Sequence, residues 1–356
     1  MAENKEIREK SVVVGRTIGV LVLLTGILLA AHLCAAESPD SNPIPSIFKP
    51  HSTPAESIYH LSIFVLGITA LIFLIVFSLL LYVVVKFRAR AADGGREPAQ
   101  VYGSTQIELA WTVIPILIVV VLFLATARVI HAIQDAPKPS TAVEVTVIGH
   151  QFWWEFRYPT LGIVTANELH IPVSDSAHPR PTFLKLLSAD TDHSFWVPQL
   201  AGKTDLIPNR VNEMWVDPQR AGIYLGQCAQ YCGTQHAKML LEVSVDGPEA
   251  FENWVLAQKQ AVSDENESAG KRVFETTACV SCHAVSGTRA MGRFGPDLTH
   301  LMSRRTIASG AAENTADNLR LWIENPDAIK PGSLMPAMKL NDTDLNALVH
   351  YLETLR

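Results

Sequence analysis

The residues best equipped for chemistry lie in one short stretch, Cys228-Ala-Gln-Tyr-Cys232-Gly-Thr-Gln-His236-Ala-Lys-Met239. Two thiols, an imidazole and a thioether are brought together there, and Gly233 allows the backbone to turn tightly between them. Soft sulfur donors with imidazole suit copper, zinc or iron, whereas magnesium and calcium prefer oxygen. A Cys-His-Met set is the ligand chemistry of a copper electron-transfer site, which needs only one Cys. The second Cys, four residues on, would let two thiolates bridge two copper ions. A structural zinc knuckle is the alternative, although zinc rarely recruits Met, and a plain disulfide is another. A dinuclear site would want a further imidazole. The best placed is His193, in Asp190-Thr-Asp-His193-Ser-Phe-Trp-Val-Pro198, after a strand expected over Thr182–Leu187. His131, His170, His178, His300 and His350 read as surface residues.

A second constellation is Cys279-Val-Ser-Cys282-His283, the attachment signature of c-type haem, in which two thiols add to the haem vinyls and the adjacent His ligates iron. A zinc half-site and a thioredoxin-like motif share part of the spacing, but the surrounding pattern is helical rather than βαβ. A Met as second axial ligand would raise the reduction potential, as electron carriers require. Met335, in Lys330-Pro-Gly-Ser-Leu-Met335-Pro336, sits in a loop held by prolines and fits that role. Met338 is the runner-up, and Met291 and Met302 are assigned to core or surface.

Stepping outward from these motifs, the 356 residues have room for two or three domains, and 48% of them are hydrophobic. That excess is concentrated in the first 130 or so residues. Lys5, Arg8, Lys10 and Arg16 precede an apolar run, Ile18 to Ala31, which with Ala35 and Ala36 fits a secretory signal over residues 1–36. An uncleaved helix is the alternative there, and Cys34 raises lipidation as another. Residues 37–136 read as a transmembrane hairpin, with spans at about 58–85 and 107–130, each longer than the ~20 residues needed to cross a bilayer. Lys86, Arg88, Arg90 and Arg96 lie between them with a Gly94-Gly95 turn, so the connecting loop is expected in the cytoplasm and everything after Ile130 outside. Glu108 opens the second span and is either functional or a carboxylate reaching for the membrane surface.

After Pro137-Lys-Pro139 the period becomes two. Leu241, Val243 and Val245 alternate with Glu242, Ser244 and Asp246, and other short strands have Pro and Gly turns. A β-sandwich over 140–247 is expected, with the Cys228–Met239 loop between two strands at one end. Pro248 to Val262 reads as an amphipathic helix and Ser263–Ser268 as a joint. An all-α domain over 263–356 then carries the haem motif. The formal charge of -6 without a basic run points away from nucleic acid.

Taken in order, the hairpin with Glu108-Leu-Ala-Trp111-Thr112, the cluster Gln151-Phe-Trp-Trp154, His193-Ser-Phe and the spaced Cys-Cys-His-Met motif resemble subunit II of the haem-copper cytochrome c oxidases. Residues 265–356 resemble a class I cytochrome c, with Gly270 and Phe274 in its first helix, Gly295-Pro296 buttressing the ligand His, Trp322 at the haem edge and Asp342–Leu355 closing the domain. A subunit II with a fused cytochrome is the pattern of caa-type oxidases. The resemblance implies a cupredoxin domain with a dinuclear CuA centre, in which Cys228 and Cys232 bridge, His193 and His236 are terminal ligands, Met239 is a weak ligand, and the backbone carbonyl of Gln230 completes the set. It implies electron flow from haem c to CuA and on to subunit I, and a role for Glu108 at the mouth of a proton channel. Subunit I, subunit III and a soluble cytochrome donor are the partners it suggests. Three departures stand out. Gln230 replaces the Glu whose carboxylate reaches a magnesium ion at the subunit I interface, which puts that magnesium in doubt. Phe152 stands where many members place the Trp that receives electrons from soluble cytochrome c, leaving Trp153 or Trp154 to substitute. Asn209 replaces a Gly, a mild change because Asn tolerates left-handed backbone.

Overall fold

The computed structural model describes residues 45–88, 100, 102–175, 179–260 and 268–356. The signal segment, Cys34, Arg90, Arg96, the Gly94-Gly95 turn, His178 and most of the Ser263–Ser268 joint lie outside those residues. Helices α1 (Thr53–Lys86) and α2 (Thr105–Gln134) are each long and apolar enough to cross a membrane, and their apolar side chains point outward along nearly the whole length. Both run a few residues beyond the sequence-expected spans. Ser52 precedes α1 with Pro54 in its first turn, where a missing N–H is harmless. Pro115 sits inside α2, which continues through it.

The hairpin's two outer ends are tied to the β domain. Thr53 Oγ1 donates to Asp217 at 2.6 Å, and Trp215 Nε1 donates to the carbonyl of Ile133 at 2.7 Å. The chain beyond α2 forms two five-stranded sheets. One has the order β3-β2-β1-β5-β8, from β1 (Val143–His150), β2 (Trp153–Tyr158), β3 (Ile163–Ala166), β5 (Thr182–Ser188) and β8 (Asn212–Val216). The other has the order β4-β10-β9-β6-β7, from β4 (Glu168–Pro172), β10 (Leu240–Asp246), β9 (Gly222–Cys228), β6 (His193–Trp196) and β7 (Thr204–Leu206). β1 runs parallel to β5 and β10 parallel to β4, and the other pairings are antiparallel.

Alternation dictates what enters this sandwich. Val143, Val145 and Val147 of β1 and Leu241, Val243 and Val245 of β10 are buried with Trp154, Phe156, Tyr158 and Phe195 in one core. Asn209 has φ 61°, the left-handed conformation its side chain tolerates. Helix α3 (Pro248–Gln258) closes the sandwich by burying Phe251 and Val255 in that same core, so the β domain recruits a helix beyond its last strand. It stops short of Val262.

The C-terminal part is helical: α4 (Ala269–Thr276), the single turn α5 (Cys279–Cys282), α6 (Ala316–Glu324), the short α7 (Pro326–Ile329) and α8 (Asp342–Glu353). Ser268, Thr315 and Asn341 cap α4, α6 and α8 with side-chain oxygens that accept a first-turn N–H. α4 crosses α8 closely at Gly270, where an added Cβ would lie 1.9 Å from the Ala347 carbonyl. Phe274, Leu319, Leu345, Leu348 and Leu352 fill this second core.

Two histidines expected at the surface are not there. His300 is buried, with its ring nitrogens on the carbonyls of Arg356 and Gln258 at 2.9 and 3.1 Å, because it joins α3 to the chain's last residue. His170 is half-buried, stacked on Trp254 at 4.6 Å and bonded to Asp246. His131 and His350 are exposed as expected.

Candidate metal centres

The sandwich loop leaves β9 at Cys228 and returns to β10 after a single 3-10 turn over His236–Lys238. Gly233 turns the loop at φ 133°, and a Cβ there would meet the Phe152 ring at 3.0 Å. The result gathers every sequence-expected ligand around two sulfurs. Cys228 and Cys232 are free thiols with Sγ atoms 3.8 Å apart. His193 Nδ1 lies 3.9 Å from Cys228, and His236 Nδ1 lies 3.9 Å from Cys232. Met239 Sδ is 3.8 Å from Cys232, and the Gln230 carbonyl is 3.1 Å from Cys228. The ligand atoms of His193, Cys228 and Cys232 all fall within 4.8 Å of one another. Each sulfur thus has its own imidazole, while thioether and carbonyl sit on opposite members of the pair.

His193 and Met239 are wholly buried, and both thiols are nearly so. The hydrogen bond from Cys232 drives Cys228 far below the usual thiol range against the opposing effect of burial. Cys232 is pushed up by the Cys228 thiolate and by burial. Thiols ligate as thiolates, so a cation binding between them would displace protons to solvent. Apart from the Gln230 carbonyl, all the donors are sulfur or imidazole, so the set fits copper.

Sequence reasoning missed what orients these ligands. Asp190 bonds His193 Nε2 at 2.8 Å, which leaves Nδ1 facing the sulfurs. The only sequence hint was an acidic residue three positions before a His. Gly149 in β1 gives the His193 ring its room, since a Cβ there would come within 2.8 Å of Cδ2. Gln151 Nε2 donates to the Cys232 carbonyl at 2.6 Å and steadies the loop.

The second site is an apolar cleft lined by Cys279, Cys282, His283, Trp322, Met335 and Met338, with Phe152 and Trp153 of the β domain at its edge. The cleft opens to solvent, and its walls are mostly apolar. His283 Nδ1 bonds the Pro296 carbonyl at 2.7 Å, which fixes the ring and leaves Nε2 to ligate. Burial lowers the His283 pKa and keeps it neutral, the form that binds iron. A Cβ on Gly295 would lie 2.6 Å from His283 Cε1, so only glycine lets this loop lie against the ring. Two thiols, a fixed imidazole and two thioethers around an apolar cleft fit a haem.

The tryptophans need correction as receivers of electrons from a soluble donor. Trp154 is fully buried, edge-on to Phe195 and 6.1 Å from His193, and has no surface to present. Trp153 is also buried, stacks on His150 at 4.2 Å and lines the haem cleft. Glu108 lies in the first turn of α2, its carboxylate beside Gly103. It is far along the chain from both metal sites and meets neither.

Family models match three consecutive parts: the transmembrane domain of cytochrome c oxidase subunit II over residues 41–129, its periplasmic domain over 177–245, and cytochrome c over 267–356. Copper and haem go with the second and third. The chain is 35% identical to cytochrome c oxidase subunit 2 of Alkalihalophilus pseudofirmus over 86% of its own length and 90% of that protein's. It is 32% identical to cytochrome c oxidase subunit 2 of Bacillus subtilis over 93% and 97%. Among solved structures, the periplasmic domain of subunit II of cytochrome oxidase from Bradyrhizobium japonicum is 27% identical, covering 35% of this chain and 96% of that one with a TM-score of 0.32. With a membrane hairpin, a copper-type sandwich and a cytochrome c domain in one polypeptide, this chain belongs to the cytochrome c oxidase subunit II family.

Proposed function

We propose that this chain is the electron-input subunit of a caa-type haem-copper cytochrome c oxidase. It receives electrons at a covalent haem c, hands them to a dinuclear CuA centre, and delivers them to a separate subunit I that reduces oxygen to water and moves protons. One observation carries this reading: each of two adjacent buried thiols has its own imidazole, and the edge of a haem-type cleft lies on the same side of the sandwich. When bound, both groups exchange single electrons without making or breaking substrate bonds.

The chain's own residues supply rigidity. Cys279 and Cys282 would carry the haem, and His283 and Met335 would supply the nitrogen and sulfur that bind its iron. Cys228, Cys232, His193, His236, Met239 and the Gln230 carbonyl would hold the two coppers. These donors stand on a sandwich end tied down by Asp190 and Gln151, so little has to move when charge changes. Gln230 offers an amide where a magnesium site would want a carboxylate, so no magnesium ligand is assigned.

Phe152 supports the fused donor. The position at which a soluble cytochrome would dock is nearly buried and lines the chain's own haem cleft. A tethered donor has a high effective concentration and needs no docking surface there. A soluble cytochrome would then reduce haem c rather than CuA. Lys86 and Arg88 at the inner end of α1 support a cytoplasmic hairpin loop, with both metal domains outside and subunits I and III packed against the lipid-facing helices. Glu108 at the start of α2 is assigned to the mouth of a proton channel shared with subunit I.

Cys232→Ser in the full-length protein tests the copper assignment. Copper per chain and the near-infrared absorption of the dinuclear centre should both fall. Unchanged copper content and absorption would reject it.

A further inference from the structure

Two buried polar side chains belong to neither ligand set, and both lie where the C-terminal domain meets the sandwich loop. Gln235, one residue before His236, is 3% exposed and directs its Nε2 to the carbonyls of Lys330 and Pro331, each at 2.8 Å. Lys330, five residues before Met335, is also 3% exposed. Its Nζ reaches back to the carbonyl of Phe152 at 2.8 Å and to that of Ala308 at 3.2 Å. Phe152 in turn abuts Gly233 of the copper loop. The contacts are therefore reciprocal. The copper loop donates into the Met335 loop, and the Met335 loop donates into the turn that supports the copper loop.

Shape alone does not require such groups at an interface. An apolar side chain of similar size would fill the same space without desolvating an amide or an ammonium. Polar pairs differ from apolar ones in what happens when the surfaces shift. A displaced apolar contact loses little, whereas a displaced buried donor or acceptor goes unsatisfied. Among the described residues no backbone N–H reaches the Lys330 or Pro331 carbonyl, and Gln235 is the donor to both. A slid or rotated pose would strand the Gln235 amide, the Lys330 amine and the carbonyls of Lys330, Pro331 and Phe152 together, which penalises every alternative to the observed arrangement.

We propose that Gln235 and Lys330 are positioning residues that lock the haem domain onto the copper loop in one pose. The inference rests on the electron-relay reading, because only then does the distance between the two loops matter: tunnelling falls exponentially with separation. Neither residue is a ligand of copper or of haem iron, although both border the haem cleft. They act through the loops that carry His236 and Met335, and they hold those loops in one donor–acceptor geometry.

The experiment uses the full-length, metal- and haem-loaded chain in the assembled oxidase, comparing Gln235→Leu and Lys330→Met, which keep bulk but remove the donors. Amide hydrogen exchange over residues 230–239 and 329–336 should rise roughly tenfold or more, as expected for the loss of buried hydrogen bonds. Copper and haem per chain and the Met–iron band should stay at wild-type levels. The haem-to-copper transfer rate should fall and become dependent on solvent viscosity, while copper-to-subunit I transfer should not change. Unchanged exchange in both variants overturns the proposal. So does raised exchange that appears only with loss of copper or haem, because the residues would then be holding the sites rather than the pose. Should Lys330→Met fail to fold, Gln235→Leu alone decides on the same criteria. Loosened exchange in a protein whose wild type shows no haem-to-copper transfer would leave the clasp standing and refute the relay reading instead.

Discussion

Gly149→Ala tests how far the copper ligands depend on a neighbour that binds nothing. A Cβ at this position would come within 2.8, 3.0 and 3.2 Å of His193 Cδ2, Cγ and Cβ. Non-bonded carbons settle at ~3.5–4.0 Å, so the ring would have to retreat by about 0.7 Å. It has nowhere to go. Asp190 holds Nε2, Trp154 stands edge-on 6.1 Å away, and His193 is fully buried. Overpacking of this kind costs about 1–3 kcal/mol. A shifted imidazole also weakens the metal, by about 10–100-fold for comparable changes around ligand histidines. Both effects are measurable on the full-length protein. Denaturant unfolding of the copper-free form, followed by tryptophan fluorescence, gives the first, and chelator competition for copper gives the second. Wild-type midpoint and wild-type copper affinity in the Ala variant would refute the claim that β1 sets the position of His193.

Other outcomes follow from the same structure. Met335→Leu should abolish the Met–iron charge-transfer band while Met338→Leu keeps it. Both side chains border the cleft, but the Met338 N–H is anchored to the Ile323 carbonyl at 3.2 Å, and swaps that conserve volume cost less than ~1.5 kcal/mol, so a reversed pattern would move the ligand to Met338. Glu155 offers a pH test. Burial works against its ionisation, yet hydrogen bonds from His150 and Arg157 outweigh it and hold the carboxyl below its ordinary 4.5. Its contribution is therefore present above that value and lost as pH falls through the lower folded one. Glu155→Gln should remove about 1.5–3 kcal/mol at neutral pH and flatten the acid limb of the unfolding curve, and an unaltered acid limb would contradict the assignment.

Much of this molecule was legible before any coordinates, for identifiable reasons. The copper loop could be read because five of its six donors lie between Cys228 and Met239, where spacing alone restricts the geometry. The haem motif was legible because Cys-x-x-Cys-His is one turn of chain. The period-two strands were clear where one face is buried, as in β10, whose pattern alternates without a break. What escaped was contact through space between residues remote in sequence. Lys330 reads as a solvated cation until the fold places it against Phe152, 178 positions away. His300 reads as a surface residue until the C-terminus wraps round to bond it. The tryptophans after Phe152 looked available because no local pattern reports that one is swallowed by the sandwich and the other stacked on His150 at the wall of the haem cleft. Helix α3 was expected, but not its share in the sandwich core, since an amphipathic stretch does not name its partner.

The most direct test of the relay is time-resolved absorption of the assembled enzyme after a brief pulse of small-molecule reductant that loads haem c. The haem c band should reoxidise in step with bleaching of the near-infrared copper absorption, and haem in subunit I should be reduced only afterwards. Haem c that stays reduced while copper and subunit I turn over without it would contradict the account.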